Sequence, residues 1–161
     1  VYGLYRSATE NVHRDIYLLR SEDAARNFST GMIQRWEINA CPMSSMSFIE
    51  TPNQVLGAWE TQTQVYFAPM NRGPEVAKTS AVAPPGANPK RKYPVLARNS
   101  RGETLMAWVE GAGWLRGGTL GWQIFDKDGR PGAASTVRRD VPVWSFPAAL
   151  VRPDDGFTIL V

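Results

Sequence analysis

A dipeptide of an aromatic residue or cysteine followed by proline occurs three times in this chain, at a nearly constant interval. Cys41-Pro42, Tyr93-Pro94 and Phe146-Pro147 place their prolines 52 and 53 residues apart. After each proline comes a run that reads as two strands joined by a turn. Met46 to Ile49 leads through Pro52-Asn53 to Val55–Trp59. Val95 to Ala97 leads through Ser100-Arg101-Gly102 to Thr104–Trp108. Ala148 to Val151 leads through Asp154-Asp155-Gly156 to Phe157–Val161. A unit repeated at this period cannot cover its own apolar faces and must stack on its neighbours.

Strand signals are brief and frequent, and turn residues punctuate them closely. The nearest approach to a helical pattern, Ser21 to Phe28, is short and lacks a sustained apolar face. The chain therefore reads as all-β. Strand content at a period near fifty is the mark of β-propeller blades, each of four antiparallel strands, A to D from hub to rim. Gly3–Tyr5 reads as a B strand. Ile16–Leu19, Val65–Ala68 and Gly121–Phe125 read as C strands. Met32–Trp36, Val76–Lys78 and Ser135–Arg138 read as D strands. The expected organisation is one partial propeller over 1–161, with repeats at 1–41, 42–93 and 94–146 and the start of another at 147–161.

Such a chain starts and ends in a B strand and holds about three blade-equivalents, an incomplete ring with unpaired edges. The remaining blades then come from a longer chain or from a second copy. A small open sheet or sandwich is the other way to cover those edges.

Composition narrows the function classes. Eighteen Lys and Arg against fifteen Asp and Glu give a net charge of +3, too little to indicate nucleic acid. The basic run Lys90-Arg91-Lys92 reads as a solvated loop, with a phosphate or acidic-glycan contact as the alternative. No apolar run is long enough to span a membrane. The first residues, Val1 to Tyr5, show no signal-peptide pattern. One cysteine excludes a disulfide within the chain, and one histidine, His13, excludes a multi-histidine metal site. No metal or cofactor motif is present: Asp126-Lys127-Asp128-Gly129 reads as a tight C-to-D turn, with Val137 where a calcium loop needs Glu.

Leu19 to Phe28 carries the one family signature. Ser21, Asp23 and Phe28 fall on the Ser, Asp and aromatic positions of the Asp-box found in bacterial-neuraminidase-type repeats, with Ala25 where Gly is usual and Asn27 where Thr is usual. Together with the repeat, the chain resembles the sialidase-like propeller superfamily. The resemblance implies a structural box. Ser21 and Asp23 would bond the backbone of the C-to-D turn, the aromatic ring would pack beneath it, and any active site would lie on the opposite face. It also implies a secreted or periplasmic location and a glycan or other small-molecule ligand.

Blade geometry gathers the B-to-C loops and the starts of A strands at that opposite end. Arg6, Glu10, His13 and Arg14 come from the first loop, and Glu60, Thr61 and Gln62 from the second. The third spans 110–118. Cys41, Met43, Lys92, Tyr93, Trp144 and Phe146 lead the A strands. Glu10, Glu60 and Glu110 are spaced by 50 residues, one per loop. Glycoside hydrolysis needs two carboxylates across the scissile bond, so Glu60 and Glu110 are the candidate acid/base pair. Three solvated loop acids are the plainer reading. Arg6 and Arg116 are candidates to hold an acidic group, with Arg14 and Arg98 of the same type. The family's Phe/Tyr-Arg-Ile-Pro signature is absent, and Tyr5-Arg6-Ser7-Ala8 shares only its first two letters. Tyr93 and Trp114 are candidates for contact with a sugar ring. A Cys41–His13 dyad shares this rim, although Cys at a strand start usually serves as a small hydrophobe. The expected function is a carbohydrate-active module, binding or hydrolysing glycans. A non-catalytic protein-interaction scaffold is the alternative.

Overall fold

A computed structural model describes residues 1–43, 45–86, 90–132 and 139–161. The described chain is all-β, and every sheet is antiparallel. The first sheet runs β1 (Tyr2–Arg6), β2 (Ile16–Arg20), β3 (Ser29–Gln34). The second runs β4 (Ser47–Thr51), β5 (Gln54–Thr61), β6 (Gln64–Pro69). The third runs β7 (Arg91–Arg98), β8 (Thr104–Glu110), β9 (Gly118–Phe125), β10 (Asp140–Val141). A hairpin of β11 (Ala148–Val151) and β12 (Phe157–Leu160) follows.

The repeat is visible in the register. Ser47 faces Ala58, Val95 faces Ala107, and Ala148 faces Leu160. The next residues along are Trp59, Trp108 and Val161, so β5, β8 and β12 are equivalent strands. Pro94 and Pro147 each precede the first residue of these pairs and correspond. Pro42 does not: its register counterpart is Met46, four residues later. The Pro42 carbonyl is instead held by the Arg6 side chain at 2.6 Å.

Successive sheets stack face to face. Ile16, Leu18 and Ile33 of the first sheet meet Trp59, Ala68 and Met70 of the second. Leu56, Ala58, Val65 and Phe67 on its other face meet Leu96, Met106, Trp108 and Phe125 of the third. Ala107, Val109 and Leu120 then meet Ile159 and Val161 at the hairpin. A strand buried on both faces loses the alternation of polar and apolar residues, and β5 and β8 are buried along nearly their whole length.

The expected D strand at Val76–Lys78 is overturned. That segment is a short helix, α1 (Pro74–Thr79). Gly73, at φ 88°, turns the chain and Pro74 starts the helix. Glu75 in the first turn and Lys78 in the last complement the helix dipole. Gly31 of β3 makes room for it, since a Cβ there would collide with the Pro74 ring. The edge of β6 is covered by Val82, which exchanges two backbone hydrogen bonds with Phe67 at 2.9 and 3.0 Å. The second sheet therefore has three strands instead of four. The other D strand expected at Ser135–Arg138 lies outside the described residues, and β10 pairs with the start of β9.

Candidate functional site

The β1–β2, β5–β6 and β8–β9 connections emerge at one end of the stacked sheets, together with the segments that lead into β4, β7 and β11. Two features lie there: a buried ion pair and a narrow aromatic cleft.

The ion pair joins the end of β1 to the end of β5. Arg6 Nη2 donates to Glu60 Oε2 at 2.9 Å and also to the Glu60 carbonyl. Its Nη1 donates to the Pro42 carbonyl, and its guanidinium lies 5.3 Å over the Trp36 ring. Glu60 is 0% exposed and the Arg6 side chain 12%. Burying a charge pair costs desolvation that further hydrogen bonds offset. Arg6 engages three acceptors here, while its Nε is buried without a hydrogen-bond partner. Arg6 therefore ties three segments of this end together.

At the same end lies a cleft of about 100 Å³, lined by Cys41, Met43, Lys92, Tyr93, Trp114 and Trp144 among others. Two of its aromatic residues sit in left-handed backbone, Tyr93 at φ 57° and Trp144 at φ 65°. That conformation is costly for a bulky L-residue and persists only where its surroundings enforce it. At Tyr93 the cause is local. The register of β7 against β8 shifts between Lys92 and Val95, a bulge that accommodates Pro94 and re-aims the tyrosine ring. The Tyr93 ring meets Phe146 edge-on at 4.7 Å, and Trp114 meets Trp144 edge-on at 5.0 Å. Trp114 is 65% exposed and Trp144 50%. Lys92 Nζ donates to the Met43 carbonyl at 3.1 Å. Burial, and then the negative charge of Glu60, push the Tyr93 hydroxyl above its ordinary pKa of 10.0. Tyr93 thus connects the cleft electrostatically to the buried pair.

Trp59 is equivalent to Trp108, so Glu60 corresponds to Val109 and Glu110 to Thr61, and the two carboxylates are not register equivalents. Each is engaged by its own arginine, Glu60 by Arg6 and Glu110 by Arg91. Glu110 accepts from Trp108 Nε1 at 2.9 Å and from Arg91 Nε at 3.3 Å. Arg116 is exposed, its Nε donating to the Gly111 carbonyl at 3.0 Å. His13 stands against Glu10 at 3.5 Å and Glu37 at 3.8 Å, while exposed Cys41 lines the cleft. Among the described residues no group of three or more His, Cys, Asp or Glu could hold a metal ion.

The run Lys90-Arg91-Lys92 is not a solvated loop. Arg91 is buried, donating to the Pro84 carbonyl at 2.8 Å and the Pro85 carbonyl at 3.0 Å, with its guanidinium 5.0 Å over Trp108. Its Nη1 also donates to Gln64 Oε1 of β6 at 3.3 Å, so the guanidinium links the second and third sheets, a role that charge patterning alone conceals.

At the opposite end, Ser21 and Asp23 organise the turn between β2 and β3. Ser21 Oγ accepts from the Ala25 N–H at 2.8 Å and donates to Asp23 Oδ1 at 2.9 Å. Asp23 accepts from the backbone N–H groups of Arg26 and Asn27 at 3.1 and 2.9 Å. Asn27 adds a side-chain bond to Asp23 Oδ2 at 2.7 Å. Phe28, expected to pack beneath this turn, is 49% exposed.

Two predictions arise at this turn. Ala25 sits at φ 68°, where glycine is unstrained. Ala25→Gly should therefore stabilise the protein by about 1 kcal/mol in urea unfolding. The Asn27 and Ser21 hydrogen bonds lower the Asp23 pKa from 3.8 to about 2. A folded-state pKa below the unfolded one stabilises fully above the unfolded value and stops doing so as pH falls through the folded value. An NMR titration should show the Asp23 carboxyl still ionised at pH 3. In Ser21→Ala its midpoint should rise toward 3.8.

Comparison with known proteins gives no match: no family model, no curated protein and no solved structure corresponds to the chain.

Proposed function

We propose that this chain is a sialidase-like β-propeller module that binds a glycan in the aromatic cleft at the loop end of its stacked sheets. The observation that carries the reading is the pair of left-handed aromatics. Tyr93 and Trp144 are both held in disfavoured backbone, and both line one cleft with the largely exposed Trp114. Aromatic faces presented to solvent suit the apolar C–H faces of a sugar ring, and Lys92 supplies a donor for its hydroxyls. The small volume restricts the cleft to a terminal ring. Support for the propeller comes from the equivalent registers and the face-to-face stacking of successive sheets.

Binding is favoured over hydrolysis because Glu60 is engaged by Arg6, and Glu110 by Arg91 and Trp108. A glycan array on the purified protein should give binding, and a screen of fluorogenic glycosides should give no turnover. Trp114→Ala should weaken binding at least about tenfold, the loss of roughly 1–2 kcal/mol of ring contact. Turnover abolished by Glu60→Gln would replace binding with hydrolysis. The second reading is a protein-interaction scaffold. It is favoured by the exposed apolar residues Leu115, Val143 and Phe146 beside the cleft. An array without hits would favour it.

A further inference from the structure

Another cavity, of about 190 Å³, lies between the second and third sheets at the end opposite the aromatic cleft. It sits beside the helix that stands where a fourth strand was expected. α1 packs toward β3 of the first sheet, with Pro74 against Gly31, and the wall beside β6 is left to Ser80 and Val82. Leu56, Phe67 and Val82 make the cavity apolar on one side, and Gln54, Arg98 and Thr104 make it polar on the other. Gln54 and Arg98 also border an open polar groove of about 510 Å³ between the β4–β5 and β7–β8 turns. Arg98 is the unusual member. Arg6, Arg20 and Arg91 each pair with a glutamate. Half-buried Arg98 donates to the Thr104 hydroxyl at 3.0 Å and pairs with no carboxylate among the described residues. Asp126 and Asp128 border the cavity but are held elsewhere. Asp126 Oδ1 accepts from the Asp128 and Arg130 N–H groups at 2.9 and 2.8 Å, and Asp128 accepts from Lys127 Nζ at 2.9 Å.

We propose that this cavity binds a small organic monocarboxylate, with its charged end on the Arg98 guanidinium and its apolar body among Leu56, Phe67 and Val82. A guanidinium offers five N–H donors in a planar fork that matches a carboxylate, and Thr104 occupies one of them. Gln54 adds an amide at the same end. The apolar side sets the size of the ligand: an apolar cavity of about 150 Å³ accommodates a benzene ring. The neighbouring Asp126 and Asp128 set its charge, because two nearby carboxylates repel a dianion more than a monoanion. A phosphate is therefore disfavoured.

The test is an NMR titration of the whole protein with phenylacetate, read at the Arg98 Nε–H and the Val82 methyl resonances. Both should shift saturably, with a dissociation constant of about 1 mM or below. Acetate lacks the ring and phenylacetamide lacks the charge, so each should bind at least about tenfold more weakly. Inorganic phosphate should be weaker than phenylacetate by a similar factor. In the protein, Arg98→Gln should weaken phenylacetate binding at least about tenfold. Gln54→Glu keeps the side-chain shape and sets a competing carboxylate at the polar end. It should weaken binding at least about fivefold, and it tests the site even if Arg98→Gln fails to fold. Three results would overturn the proposal. They are no saturable shift at about 20 mM phenylacetate, equal affinity for acetate, phenylacetamide or phosphate, and affinity undiminished in the substituted proteins.

Discussion

Replacing Arg6 with methionine should destabilise the protein by about 3–5 kcal/mol, because it leaves the Glu60 carboxylate buried without its cation. Glu60 is fully buried, and Arg6 meets its side chain, its carbonyl and the Pro42 carbonyl at once. The sign of the double mutant separates a charge effect from simple loss of contact. Arg6→Met with Glu60→Leu removes both charges and should recover most of the loss, since apolar groups of similar volume often replace a buried pair at little expense. Urea unfolding of wild type, both single variants and the double completes the cycle. A double variant as unstable as the sum of the singles would show that the pair does not act as a charge pair. Tyr93 provides a second readout. Its hydroxyl pKa should fall toward 10.0 when Glu60 becomes neutral, because Glu60 is one of the two causes holding it up.

Trp59→Ala should be comparably severe, at about 3–5 kcal/mol, and should lower the melting midpoint by roughly 10 °C in a chain of this size. The indole is wholly buried between the first and second sheets, lies 5.9 Å from the Tyr66 ring and donates to Gln34 Oε1 at 2.7 Å. Removing it opens a cavity and leaves the Gln34 amide oxygen without that donor. Trp59→Phe keeps most of the volume and should lose much less. Equal losses for Ala and Phe would mean that the hydrogen bond, not the stacked interface, carries the site.

The strands and their stacking were legible in the sequence because the repeat fixes both. The residues before Ala148 and Val95 are prolines, and Trp59 and Trp108 mark equivalent places in β5 and β8. Pro42 misled, because the segment that carries it is drawn toward Arg6 and reaches β4 only at Ser47. The helix at Pro74–Thr79 was missed because Val76-Ala77-Lys78 is too short to show a period. Gly73-Pro74 was the signal that could have found it. The spacing of Glu60 and Glu110 pointed to a shared rim, but the true offset between these strands is 49, from Trp59 to Trp108. Glu60 therefore corresponds in register to Val109, and Glu110 to Thr61. The cleft residues Cys41, Met43, Lys92, Tyr93, Trp114 and Trp144 were legible as a group from loop order alone. The left-handed backbone at Tyr93 and Trp144 was not, since bulky residues disfavour it and the bulge at Tyr93 shows only in the register of β7 against β8.

The most direct test of the rim cleft follows the indole N–H resonances of all six tryptophans while glycans are titrated in. Binding at the cleft predicts that Trp114 and Trp144 shift together and saturably. Trp59 and Trp108, buried between sheets, should stay in place. Shifts confined to other tryptophans, or glycan binding undiminished in Trp114→Ala, would contradict the assignment.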